Sequence, residues 1–242
     1  MSVSTVQLAP SEQRGRGPSR RRWIPIATGI GFTVSWVAGL AMPVPNLDPT
    51  ASAAEIVARY GPHLAAVQAQ FALTEGLPAL GLAVMAFLLA RGTRSWTRAR
   101  VMSVAGTAAA AISVAQYALG VILAGWAIPG NAAGHASALW QAINRLDGVK
   151  MFALAVLAAA TVALAGPIGS GAVLPRWLRY ASLTLAASIA ISGVAYLFLI
   201  QDLAFMAYVA GVALLVWVTG VGLALGGVPT GASGRPLGQA GR

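Results

Sequence analysis

Glu75 is the one acid that falls well inside a run apolar enough to cross a membrane, about one helical turn from its end. An ionisable group at that depth is costly and is a functional hypothesis by default. A carboxylate there can pair with a cation, take a proton or ligate an ion. The simplest account is an ion pair with Lys150 or Arg145 that fixes how the helices pack. Asp147 and Lys150 stand three residues apart, on one helical face, and so form a local ion pair. Gln116 is a buried-amide candidate that can lie in the same layer. His63 and His135 offer imidazoles, which suit metal or haem. Neither lies firmly inside a span, and the chain has no HExxH or CxxCH. Catalytic zinc normally takes three protein ligands, so no metal or cofactor is expected. Gln68, Gln70, Gln141, Asn144, Arg145 and Asp202 gather at the same helix ends, with Tyr117 and Tyr208 able to point toward that layer. The tentative ligand- or ion-binding set is Glu75, Asp147, Lys150, His63, His135 and Gln116, with no catalytic residue assigned.

These residues belong to a repeat. Aligning His63 with His135 puts Glu75-Gly76 on Asp147-Gly148 and Leu82-Ala83-Val84 on Leu154-Ala155-Val156. Each copy has a polar, helix-compatible lead-in, then an acid and a glycine, then a long apolar helix. A repeat decides architecture before anything else. Here it predicts two helices, separated by one intervening span, that enter the membrane from the same side. A weaker echo links Ser35, Ser113 and Ser192, each followed four residues later by Gly39, Tyr117 or Tyr196.

Composition requires lipid. The chain is 57% hydrophobic and only 9% charged, with a mean hydropathy of +0.74, whereas a soluble domain carries about 25% charged residues. There is no cysteine, which excludes disulfides, thiolate sites and thiol nucleophiles. The net charge of +10 comes from arginine clusters between span-length apolar runs. That is an orientation signal and not a nucleic-acid-binding face.

The reading is all-α: a polytopic transmembrane helical bundle of six spans, built as three hairpins with short outward-facing amphipathic helices. Residues 1–22 and 226–242 read as disordered cytoplasmic tails, with the six-span domain over 23–225. The first span is Trp23 to Met42, too long for the apolar core of a signal peptide. Asp48-Pro49 predicts a helix start, and Ser52 with Glu55 a capping box. The short helix that follows presents Ile56, Val57 and Tyr60 to the membrane interface, and Gly61-Pro62 ends it. Spans then follow at about 71–90, 101–124, 148–164, 181–200 and 203–225, with a turn at Pro129-Gly130-Asn131. Small residues at Gly29, Gly31, Ser35, Gly39, Gly106, Ala110 and Ser113 mark close helix packing.

With six spans, thirteen basic residues fall on one side (14, 16, 20, 21, 22, 91, 94, 98, 100, 176, 179, 235 and 242), and three on the other: Arg59, Arg145 and Lys150. Basic residues favour the cytoplasmic side. Both termini are therefore expected in the cytoplasm of a bacterium, with the histidine-bearing lead-ins outside the plasma membrane.

The arginine-rich tail, the Tyr60-x-x-His63 element before the second span, and Tyr208-Val209-Ala210-Gly211 with Trp217 in the last span form a further pattern. It resembles the uncharacterised six-span membrane proteins, of the domain-of-unknown-function type, found in high-GC Gram-positive bacteria. The resemblance covers most of residues 23–225 and carries no catalytic residues across.

Three functions fit these residues. The first is a non-enzymatic membrane protein whose outward-facing polar cluster binds a small ligand, lipid or ion. The second is a small proton- or ion-coupled transporter using Glu75 and Asp147, with Gln116 along the path. The third is a membrane-embedded enzyme on a lipid-linked substrate, with His63 or His135 as acid or base. The partner implied by composition is the lipid bilayer. Self-association or another membrane partner is left open.

Overall fold

The computed structural model describes residues 23–128, 133–166, 172–203 and 205–227. The expected tail over 1–22, all of the expected tail over 226–242 but its first two residues, and the turn at 129–131 lie outside the described residues. Within them are eight α-helices: α1 (Trp23–Leu40), α2 (Ala53–Tyr60), α3 (Leu64–Phe71), α4 (Leu77–Gly92), α5 (Trp96–Trp126), α6 (Ala136–Thr161), α7 (Arg176–Phe198) and α8 (Met206–Leu225). Six helical runs are long and apolar enough to cross a membrane, the second of them the whole stretch from Ala53 to Gly92.

The six runs form a ring. α1 packs on α4, α4 on α5, α5 on α6, α6 on α7, α7 on α8, and α8 closes on α1. Each expected hairpin pair is in contact, and the most extensive packing, α6 on α7, joins two of the hairpins. Lipid is as apolar as leucine, so helices in it associate through close packing and hydrogen bonds. The crossings show this. A Cβ on Gly148 of α6 would stand 2.6 Å from the Leu197 amide nitrogen and 2.8 Å from the Gly193 oxygen of α7. Gly106 packs directly on the Ala86 methyl, and Gly29 of α1 meets Val218 and Gly222 of α8. Gly31, expected in the packing stripe, has nothing within 4 Å of its Cβ position and faces out of the bundle.

Polar links fasten the same helices. Thr33 and Thr219 hydroxyls lie 2.7 Å apart, tying α1 to α8. At the arginine-bearing half, Trp217 Nε1 donates to Ser182 Oγ at 2.9 Å, which also meets Thr161 Oγ1 at 2.9 Å. That buried chain joins the fourth, fifth and sixth spans. Around it lie Met85, Leu89, Met102, Leu157, Leu178 and Leu185, all fully buried.

Several expected boundaries are corrected. Ser52, not Asp48, caps α2, accepting from the Glu55 amide at 3.2 Å. Asp48 instead closes a local turn, accepting from the Thr50 amide and hydroxyl at 2.8 and 2.6 Å. Gly61-Pro62 ends α2 at Tyr60, as expected, but the chain does not turn away there. Gly61–His63 tightens into a 3₁₀ turn that passes straight into α3, because proline is tolerated in the first turn of a helical segment. The apolar face of α2 does not meet the interface either: Ile56 and Tyr60 are buried. They join a second core with Val67, Leu123, Ala127 and Ile143. The Tyr60 ring sits edge-on to Trp140, whose Nε1 donates to the Asp48 carbonyl at 2.7 Å. α5 and α7 begin earlier than expected, at Trp96 and Arg176, and the lead-in from Ala136 is continuous with the fourth span.

Candidate functional site

The fourth span stays α-helical through Asp147-Gly148, while the second span does not stay so through Glu75-Gly76. Residues Ala72–Gly76 form a π-helical turn, with the Leu77 amide donating to the Ala72 carbonyl five residues back. The cause lies just beyond. Pro78 has no N–H, and in a regular helix its ring collides with the carbonyl four residues earlier. The wide turn leaves the Leu73 carbonyl without a helical donor: the Leu77 amide is spent on Ala72, and the next candidate is Pro78. Ser35 Oγ of α1 supplies the missing bond, at 2.7 Å. Glu75 sits on this turn. Such turns occur often at functional sites.

From there Glu75 reaches Lys150 on α6. Lys150 Nζ lies 2.8 and 2.7 Å from the two Glu75 carboxylate oxygens. It also lies 2.6 Å from Asp147 Oδ1. The ammonium therefore bridges a carboxylate of the second span and one of its own helix, the fourth span. The side chains are 10% (Lys150), 13% (Glu75) and 20% (Asp147) exposed. Gln116 of α5 is 2% exposed. Its Nε2 donates to the Ile143 carbonyl at 3.2 Å and to Asp147 Oδ1 at 3.3 Å. Its Oε1 is buried without a hydrogen-bond partner among the described residues. Ser113, one turn from Gln116 on the same helix, is buried and lies near Glu75. The formal charge of the triad, two carboxylates against one ammonium, is minus one.

The structure thus brings together Glu75, Asp147, Lys150 and Gln116. Arg145, the other expected cation, is exposed and makes no ion pair among the described residues. His63 and His135 are exposed at the helix starts, each at the end of a 3₁₀ turn, and His135 lies against Trp126 at 6.2 Å. Neither forms an ion pair with an acid among the described residues. Tyr117 and Tyr208 are 37% and 74% exposed, and the Tyr117 ring lies against Gly76, the neighbour of Glu75. Asn144 is buried, with Nδ2 donating to the Trp140 carbonyl at 2.8 Å. Asp202 is exposed.

Three residues were missed. Ser113 carried a signal, three residues before Gln116 on one helical face. Tyr196, close enough to Asp147 and Lys150 to feel their charges, appeared only in the serine echo. Pro78, three residues beyond Glu75, was the signal for the π-turn. Of two cavities among the described residues, one, about 380 Å³, lies along α6 beside Arg145 and Gln141; the other, about 630 Å³, lies at the α4–α5 loop. Neither touches the triad. No protein-family model matches the chain, and the comparisons with curated proteins and with solved structures likewise return no match.

Proposed function

We propose that this is a non-enzymatic, multi-pass protein of the bacterial plasma membrane whose outward-facing polar cluster binds a small monovalent cation. The reading rests on one observation. Lys150 is shared by Glu75 and Asp147, so with both acids ionised the buried cluster carries a formal charge of minus one. An unbalanced charge out of water is costly, and a single monovalent ion cancels it. The donors suit a hard cation, which takes carboxylate and carbonyl oxygens. Besides the carboxylates they include Gln116 Oε1, buried and without a hydrogen-bond partner among the described residues. The arginine asymmetry supports the orientation, with both termini cytoplasmic and the cluster in the outer half.

The test is the unfolding midpoint of the detergent-solubilised chain, titrated with sodium, potassium or lithium chloride against choline chloride at equal ionic strength. At about a hundredfold excess over the dissociation constant, a bound ion adds about 2.7 kcal/mol. For a chain of this size that is a rise of about 5–10 °C. Glu75→Gln and Asp147→Asn each cancel the excess charge and should abolish the response. Indifference of the native chain to the choice of cation overturns the reading, as does a full response in Glu75→Gln.

A further inference from the structure

The pocket of about 630 Å³ at the opposite end of the bundle has a different chemistry. It opens between the α4–α5 loop, the end of α6 and the segment before α7. Arg91, Arg94 and Arg98 line it, with Thr93, and Leu164 and Val173 contribute an apolar wall. All three arginines are exposed, and none meets a carboxylate among the described residues. None could easily do so. The acids of the described residues are Asp48, Glu55, Glu75, Asp147 and Asp202, and all belong to the histidine-bearing half. α5 begins at this edge, and a helix N-terminus carries unsatisfied amides and positive potential. Arg91 is held over the Phe87 ring at 5.4 Å.

The depth of the pocket is marked by aromatic residues. Trp96, Trp177 and Tyr180 are 73%, 41% and 57% exposed at the same helix ends. Tryptophan and tyrosine concentrate at the headgroup level of a bilayer. Guanidinium groups present forked donors that match phosphate oxygens. Basic pockets between spans are suited to anionic headgroups.

We propose that this pocket binds a phosphate group with no cation of its own to neutralise it, as an anionic phospholipid presents at this depth and a choline headgroup does not. The arginines hold the phosphate oxygens, and Leu164 and Val173 face the start of the acyl chains. The site is independent of the cation cluster, which lies in the other half.

The experiment uses the full chain in a neutral detergent and measures binding of phosphatidylglycerol, phosphatidylcholine and inorganic phosphate by native mass spectrometry and titration. Phosphatidylglycerol should bind more tightly than phosphatidylcholine. Arg94→Gln with Arg98→Gln should weaken it about 25-fold, about fivefold for each arginine. Arg94→Lys with Arg98→Lys should weaken it less, and Arg59→Gln, at the other end, should leave it unchanged. Inorganic phosphate binding as tightly as the lipid, with the same dependence on both arginines, upholds the phosphate site and assigns it to a soluble ligand. The proposal is overturned if phosphatidylglycerol binding is unchanged in Arg94→Gln with Arg98→Gln. It is also overturned if the two lipids bind alike and inorganic phosphate does not bind.

Discussion

Removing Lys150 should be far more damaging than removing either of its partners. The native triad carries a formal charge of minus one, with both carboxylates within 2.8 Å of the ammonium. Lys150→Met leaves minus two, with no cation among the described ion pairs to replace it. Glu75→Gln leaves zero, with the Lys150–Asp147 pair intact. Asp147→Asn also leaves zero, with the Lys150–Glu75 pair intact. Removing one partner of a buried pair typically costs 3–5 kcal/mol, because the other charge is stranded. Lys150→Met strands two, so it should lie at the upper end, about 5 kcal/mol. At about 2–4 °C for each kcal/mol in a chain of this size, the unfolding midpoint in detergent should fall by about 10–20 °C. Glu75→Gln and Asp147→Asn should each shift it by no more than about 1 kcal/mol, since lost attraction and relieved charge imbalance oppose each other. The triple variant Lys150→Met, Glu75→Gln, Asp147→Asn removes every stranded charge and should recover most of the loss. The effects are therefore strongly non-additive, as residues in one network are. Equal effects of Lys150→Met and Glu75→Gln, or a triple variant no more stable than Lys150→Met, would refute the shared-ammonium account.

Ser35→Ala should cost about 1–3 kcal/mol, the penalty for a carbonyl left unsatisfied, read as a lower unfolding midpoint. Pro78→Ala restores an amide at that position, so in its background Ser35→Ala should cost much less; equal costs in both backgrounds would show that the proline does not create the orphaned carbonyl. For topology, single cysteines are clean probes because the native chain has none. Ser52→Cys should label from outside intact cells and Trp96→Cys only from the cytoplasm, and the reverse pattern would invert the orientation argued from the arginines.

The six spans and the all-α class were legible in the sequence because they follow from run length and apolarity, which are local properties. The partnership of Glu75 with Lys150 was legible in part. A buried acid needs a cation, and only Lys150 and Arg145 lay at the right height. Which of the two it takes depends on the rotation of α6 about its axis. That rotation is set where Gly148 meets the α7 backbone at Leu197 and Gly193, which turns Lys150 inward and leaves Arg145 exposed. The burial of Ile56 and Tyr60 was misread for a similar reason. An apolar helix face looks the same whether lipid or protein covers it, and here Val67, Leu123 and Ile143 cover it. The π-turn had a local cause in Pro78, but it persists because Ser35, 38 residues earlier in the chain, satisfies the carbonyl that the turn frees. In the closure of the ring, Gly29 was legible as a packing residue, but its partner, Gly222 of the last helix, was not. Lateral packing of helices in lipid is decided by which small surfaces fit each other, and that fit exists only once the chain has folded.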